Sequence, residues 1–188
     1  MTDLNIMHFA QLIPLGDRSM LRLRELRIDD RERLRAFFAR CSEDALRYRF
    51  MSSIKAPSDS LLNYLTDIDG YRHVALVLTQ GFGDSERIVA EGRYAMPEQM
   101  GDSADVAFLV LDELHRRGIA TLLLRRLSEI ARRNGIGSFT ADVLGDNRAM
   151  LSFIRKAMKP RSSVVSSGVI HFEIPLINVK QDPLPQAA

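Results

Sequence analysis

A mixed α/β fold, with a mostly antiparallel central sheet flanked by helices, is predicted by three stretches of the chain. MLRLRELR from Met20 alternates apolar and charged residues with the period of two of a half-buried strand. HVALVLTQ from His73 and RIVAEGRYAM from Arg87 are two more strand candidates, and the link between them, GFGDSE, has hairpin-loop chemistry. From Ala107 the pattern becomes strand, helix, strand, helix, strand. Such an order lets helices cover a partly antiparallel sheet.

Residues 1–18 read as an irregular N-terminal arm ahead of the first strand. Leu34, Phe37 and Phe38 have helical spacing within Asp29 to Cys41, a second short helix is expected over Glu43 to Phe50, and a third over Asp59 to Leu65 with Ser58 as its cap. After the hairpin, the loop PEQMGDSA leads into the strand DVAFLVL. A long helix begins near Gly118, carries Ile119, Leu123, Leu127 and Ile130 as its apolar stripe, and stops at Asn134-Gly135. FTADVL is a strand, Asn147 to about Lys156 a helix, and a Ser-rich stretch after Pro160 connects to the last strand, GVIHFEIPLI. The tail from Asn178, with Pro183 and Pro185, is expected to be flexible. No repeat and no natural cut divides residues 19–177, which are expected to form a single domain.

At 188 residues, 46% apolar and 27% charged, the chain has the balance of a soluble globular protein with a substantial core. Its net charge is only +2 and the arginines are interleaved with acids, which argues against a nucleic-acid partner. Cys41 is the single cysteine, so an internal disulfide and a cysteine-rich zinc site are excluded. It sits in a helical pattern and reads as an inert, half-buried thiol. The apolar runs are too short for a membrane span, and the N-terminal residues lack a basic segment followed by an apolar one. A reducing cytoplasm is the expected compartment.

The run AFLVLDELHRRGIATLLLRRL, Ala107 to Leu127, is the strongest functional signal. A buried strand, a basic turn with Gly118 and an amphipathic helix would gather the helix's unpaired N–H groups beside Arg116 and Arg117. Orphan donors and the helix dipole together attract anions there, so a phosphate-bearing ligand is the first expectation. Any strand–turn–helix unit also needs a glycine or a cap, which is the bland alternative.

On these residues the chain resembles the GNAT acetyltransferase superfamily. The superfamily's acyl-CoA signature, Gln/Arg-x-x-Gly-x-Gly/Ala, stands here as HRRGIA, His115 to Ala120, and Asn147 opens the next helix after another strand. RAFFARCSEDALRYRF, LTDIDGYRHVAL, IVAEGRY and VLGDNRAM are similar to the GNAT domain of bacterial Pat-type protein lysine acetyltransferases, the likeness running from about Arg22 to Met158. The resemblance implies that Phe108, Leu109 and Val110 lie along the pantetheine arm of acetyl-CoA. Backbone N–H groups from Arg117 through Gly118, Ile119 and Ala120 to Thr121 would cradle its pyrophosphate, with charge from Arg116 and Arg117. Asn147 would contact the pantetheine–phosphate region, although it is also a good helix N-cap.

The family's chemistry, as the resemblance implies it, is direct attack of an amine on the thioester, with CoA as product and a carboxylate as general base. In the Pat-type branch that base is a glutamate within a pattern like AEhAF. Here the stretch is ADVAF and Asp105 takes its place, one methylene shorter. Asp142, where many members carry a strand glutamate, and Glu91 are the alternatives; Glu91 also reads as an exposed strand residue. Three more positions depart from the family: Ile154 stands where many members have tyrosine, His115 replaces glutamine or arginine, and AMK at Ala157–Lys159 replaces Leu-Gly-Phe. His73 and His171 show no metal-ligand spacing and read as structural, so no metal is expected. Asp67 and Asp69 suit either an acidic rim for a cationic acceptor or plain turn chemistry.

The expected function is an acetyl-CoA-dependent N-acetyltransferase acting on a primary amine, a protein lysine by branch resemblance. A small-molecule amine acetyltransferase is one alternative, and a catalytically weak acyl-CoA-binding sensor is another. A homodimer is a possible assembly.

Overall fold

The alternation at Met20 becomes β2, Met20–Glu25, the second strand of an eight-stranded sheet. The structure, a computed structural model, describes residues 10–15, 19–97 and 101–176. β1 (Ala10–Pro14) pairs with β2, and α1 (Arg31–Phe38), α2 (Glu43–Phe50) and α3 (Asp59–Thr66) follow. β3 (His73–Gln80), β4 (Arg87–Ala95) and β5 (Ser103–Val110) form the meander. Then come α4 (Ile119–Arg133), β6 (Ser138–Leu144), α5 (Arg148–Phe153), β7 (Ser162–Ser166) and β8 (Val169–Pro175). The strand order is β1-β2-β3-β4-β5-β6-β8-β7, antiparallel at every junction except β5–β6.

Local chemistry accounts for most of the boundaries. Ser42 and Ser58 cap α2 and α3 by accepting from the N–H groups of Ala45 and Leu61 at 3.3 and 3.2 Å. α4 ends at Asn134, and Gly135 takes the left-handed φ of 80° that lets the chain turn away. α4 lies against one face of the sheet at Gly92: a Cβ there would meet Phe108 at 3.0 Å and Leu123 and Leu127 at 3.2 Å. Any larger residue would push the helix or Phe108 away by a few tenths of an ångström. α2 packs near the opposite face, where Arg49 reaches Glu91 of β4.

Two expectations are corrected. The N-terminal arm is not irregular throughout, because residues 10–14 form an edge strand; residues 1–9 and 16–18 lie outside the described residues. The Ser-rich stretch after Pro160 is no connector but β7, exposed along its whole length and paired in register with β8 from Ser162↔Glu173 to Ser166↔Val169. The helix expected over Asn147 to Lys156 is α-helical to Phe153 and widens into a π turn over Ile154–Met158, closed by Lys159 at φ 46°. The tail from Asn178 lies outside the described residues.

A buried ion pair fixes the entry to α1. Arg24 is 3% and Asp30 1% exposed, and the guanidinium grips the carboxylate through 2.5 and 2.8 Å bonds. Burial opposes the charge on Asp30, but Arg24 and the Arg27 N–H outweigh it and hold the carboxyl below its usual range. Removing Asp30 leaves the Arg24 guanidinium with Glu86, at 3.1 Å, as its remaining anionic partner and with buried donors unmet. Asp30→Ala is therefore expected to destabilise the protein by about 1–3 kcal/mol, a fall in melting temperature of roughly 2–12 °C in a thermal melt.

Candidate active site

The site originates in a gap in the sheet. β5 and β6 share only three parallel register positions, Ser103↔Ser138, Ala104↔Phe139 and Asp105↔Thr140. A 2.6 Å hydrogen bond between the Ser103 and Ser138 hydroxyls holds the closed end. Beyond Asp105 the strands part. Val106–Val110 and Ala141–Val143 become the two banks of a cleft of about 840 Å³. α2 roofs it with Ser42, Asp44, Ala45, Tyr48 and Arg49. Exposed ion pairs tie this region to both banks: Arg40 to Glu113 at 3.0 Å on the β5 side, and Arg47 to Asp146 at 2.8 Å on the β6 side.

At the open end the basic turn takes the shape of an anion cradle. Arg116 and Gly118 both adopt left-handed backbone, φ 62° and 77°. For an arginine that conformation is costly, and such outliers concentrate at ligand clamps. Alternating hand turns successive N–H groups toward one concavity, just where α4 presents its unpaired donors. A Cβ on Gly118 would meet nothing within 4 Å. The glycine is thus needed for its backbone conformation, and the space beside it is open. His115 Nε2 donates to the Val110 carbonyl at 2.9 Å, tying the turn to the end of β5.

Of the residues expected to hold acyl-CoA, Phe108, Leu109, Val110, Arg116, Gly118, Ile119, Ala120, Thr121 and Asn147 all line this one cleft. Arg117 is exposed on the same turn and is not among the lining residues. Asn147 caps α5, its Oδ1 accepting from the Met150 N–H at 3.1 Å. Sequence reasoning missed the roof residues Tyr48 and Arg49, and also Ser152, Lys156 and Met158 on the opposite wall. The last two lie in the π turn, an irregularity that recurs at functional sites. α2 itself held a readable signal: Leu46, Arg49 and Phe50 are spaced i, i+3, i+4, which places an arginine on an inward stripe.

The acids separate. Asp105 sits where the banks part; it is exposed, accepts a hydrogen bond at Oδ1 from the Thr140 hydroxyl, and is not a lining residue. Asp142 does line the cleft and bonds His171 Nδ1 at 2.6 Å, its register partner on β8. Since Asp105 faces Thr140, and Thr140 and Asp142 are two residues apart on one strand, all three share a sheet face.

The reading of Glu91 as an exposed strand residue is overturned, because it is 1% exposed. Arg93 bonds it directly, and Arg49 lies 4.0 Å away. Burial opposes its charge, but the two guanidinium groups hold the carboxyl below its usual range. His73 donates from Nδ1 to the Asp67 carbonyl at 2.7 Å and accepts at Nε2 from Arg93 at 3.0 Å. Burial and Arg93 lower its pKa, so the ring is neutral and its ligand positions are used. Asp69 accepts from the N–H groups of Tyr71 and His73, both at 2.8 Å, as turn chemistry requires. The Cys41 thiol is half-buried, donates to the Phe37 carbonyl, and is pushed up to about 12 by burial.

The chain as a whole has clear counterparts. Residues 40–158 match the family model described as the acetyltransferase (GNAT) family. The chain belongs to the GNAT acetyltransferase family. An acetyltransferase of Pseudomonas aeruginosa is 35% identical to this GNAT protein over 136 residues, 72% of this chain and 73% of the relative. The acetyltransferase Pat of Mycolicibacterium smegmatis is 35% identical over 103 residues, of which this chain spans only 30% of the relative's length. Among solved structures, the GNAT domain of S. lividans PAT superposes with a TM-score of 0.77 at 28% identity, covering 90% of this chain and 98% of that one. A cAMP-binding acyltransferase from Mycobacterium smegmatis superposes with a TM-score of 0.62 at 26% identity, covering 95% of this chain and half of the other. Among the described residues of this GNAT acetyltransferase, no helix is long and apolar enough to cross a membrane.

Proposed function

We propose that this acetyltransferase moves an acetyl group from acetyl-CoA to a primary amine, with a protein lysine as acceptor, by direct attack in a ternary complex. The parting of β5 and β6 carries this reading: it leaves the edge of Val106–Val110 without a strand partner, its Val110 carbonyl taken by His115, beside a positive, left-handed cradle. The edge suits the amides of pantetheine and the cradle suits the pyrophosphate. Arg116 and Arg117 supply charge at the cradle, and Asn147 fixes the start of α5 at the border of the same cleft. The catalytic domain on this reading spans about residues 19–177, in a cytoplasmic protein. The lysine acceptor is supported by likeness to proteins named Pat.

The thioester supplies the activated acyl group. An incoming ammonium, with an ordinary pKa of about 10.4, gives a proton to Asp105, directly or through one water. Oδ1 of Asp105 is engaged by Thr140, leaving Oδ2 to receive it. The freed amine forms the new C–N bond, the C–S bond breaks, the nitrogen sheds its second proton to solvent as it becomes an amide, and the departing thiolate takes one up from solvent. A free thiol of pKa about 8.5 leaves without a dedicated acid, consistent with Ile154 at the position where many relatives have tyrosine. Asp142 is the second reading for the base, because it lines the cleft and is oriented by His171.

Calorimetric titration with acetyl-CoA, followed by free-thiol release on adding a lysine peptide, tests the reading. Binding together with acceptor-dependent thiol release is expected. Binding without such release makes the protein an acyl-CoA sensor, and absence of binding removes the acyl-CoA site altogether.

A further inference from the structure

Behind the roof of the cleft lies a buried group of charges that CoA does not explain. Arg49, with 11% of its side chain exposed, lines the cleft, and Glu91 and Arg93 lie beneath it with 1% and 5% exposed. Glu91 is bonded to Arg93 and only reaches Arg49 at 4.0 Å. Arg93 also donates to the Leu65 carbonyl and to His73, whose ring is neutral. Two cations thus face one anion, with Tyr64 stacked on His73 at the far side. Arg49 Nε, Arg93 Nη2 and Glu91 Oε2 are buried and have no hydrogen-bond partner among the described residues.

A buried net charge is unfavourable unless something completes it; the orphaned atoms are themselves closed off from the cleft, and it is the exposed part of Arg49 that borders it. Water could satisfy the donors but would not neutralise the charge. The pyrophosphate of CoA belongs at the Arg116–Thr121 cradle on the reading above, its 3′-phosphate lies beyond the pyrophosphate on the ribose, and pantetheine is uncharged. In register, Arg93 faces Ala107 and Glu91 faces Leu109, so the cluster flanks the middle of the β5 bank, away from the cradle.

We infer that Arg49 seats a carboxylate at the inner wall of the cleft, delivered either by the distal end of the acyl group or by the acceptor amine. The inference rests on the acyl-CoA reading of the cleft.

Two arms distinguish the sources. In the first, CoA, acetyl-CoA and succinyl-CoA are titrated into the full chain, with CoA as each protein's own reference. In the second, thiol release from acetyl-CoA is compared for 6-aminohexanoate and its amide. One arm is expected to favour the carboxylate on the order of 10- to 100-fold, the worth of a charged hydrogen bond. The preference should fall below about threefold in Arg49→Gln and partly return in Arg49→Lys, which restores charge without the planar fork. Arg49→Met, which keeps the packing of the stem, serves if the glutamine variant does not fold. The wild type alone is decisive in one direction: equal handling in both arms overturns the inference while CoA binding stands. A preference that survives in Arg49→Gln also overturns it, and failure of CoA itself to bind removes both readings.

Discussion

Gly118→Val will lower CoA affinity by at least about 100-fold while leaving the protein folded. Two effects add. The position holds φ 77°, which is a genuine outlier for a β-branched residue and costs roughly 1–2 kcal/mol for any L-residue; the free turn relaxes out of that shape, so binding has to restore it. The new side chain would also enter the open space beside the turn, where nothing lies within 4 Å and where the proposed pyrophosphate sits. Gly118→Ala separates the two: it carries the backbone strain with little bulk, and about a tenfold loss is expected, since 1.4 kcal/mol is a factor of ten. Calorimetry reads both variants, with a thermal melt to confirm folding. Wild-type affinity in the valine variant would refute the cradle as the phosphate site.

Asp105→Asn is expected to cut kcat by about 10²–10⁴-fold, the range for loss of a general base, with KM for acetyl-CoA little altered. Asparagine keeps the size of the side chain and can still accept from Thr140, so packing is not the variable. Without the base, the residual rate should climb with pH as the free-amine fraction of the acceptor grows, toward an ordinary lysine pKa of about 10.4. Asp142→Asn should lose less than about tenfold, because its role on this reading is to border the cleft. If Asp142→Asn collapses kcat while Asp105→Asn retains it, the base is Asp142 and His171 positions it.

Elements with a buried stripe were legible to within a residue or two. α3, which buries Leu62 and Leu65, is expected over Asp59 to Leu65 and runs Asp59–Thr66, and β3 follows from the run HVALVLTQ. What escaped lacks such a stripe. β7 is SSVVS with every residue exposed, so it is held by pairing to β8 and leaves no hydrophobic period. β1 alternates between exposed and half-exposed residues only, and its proline at the end reads as a breaker. The cradle was legible because its glycine and arginines are consecutive. Glu91 was misread because what makes it buried, Arg49 on α2 and Arg93 beneath the end of α3, comes together only through the tertiary fold. Asp105 and Asp142 could be ranked from sequence by position alone; that only one of them borders the cleft depends on where the strands separate.

The three-position contact between β5 and β6 has a thermodynamic consequence. A sheet normally completes its own ladder, yet here the chain stops short and, on the proposed reading, an acyl-CoA pantetheine supplies the missing rungs. The nucleotide is then part of the architecture as well as the cargo. Occupancy counts toward folding: at a ligand concentration 100 times Kd the folded state gains about 2.7 kcal/mol. A cell rich in acyl-CoA would hold this protein in a sturdier form than a starved one, so metabolic state would set the lifetime of the catalyst along with its rate.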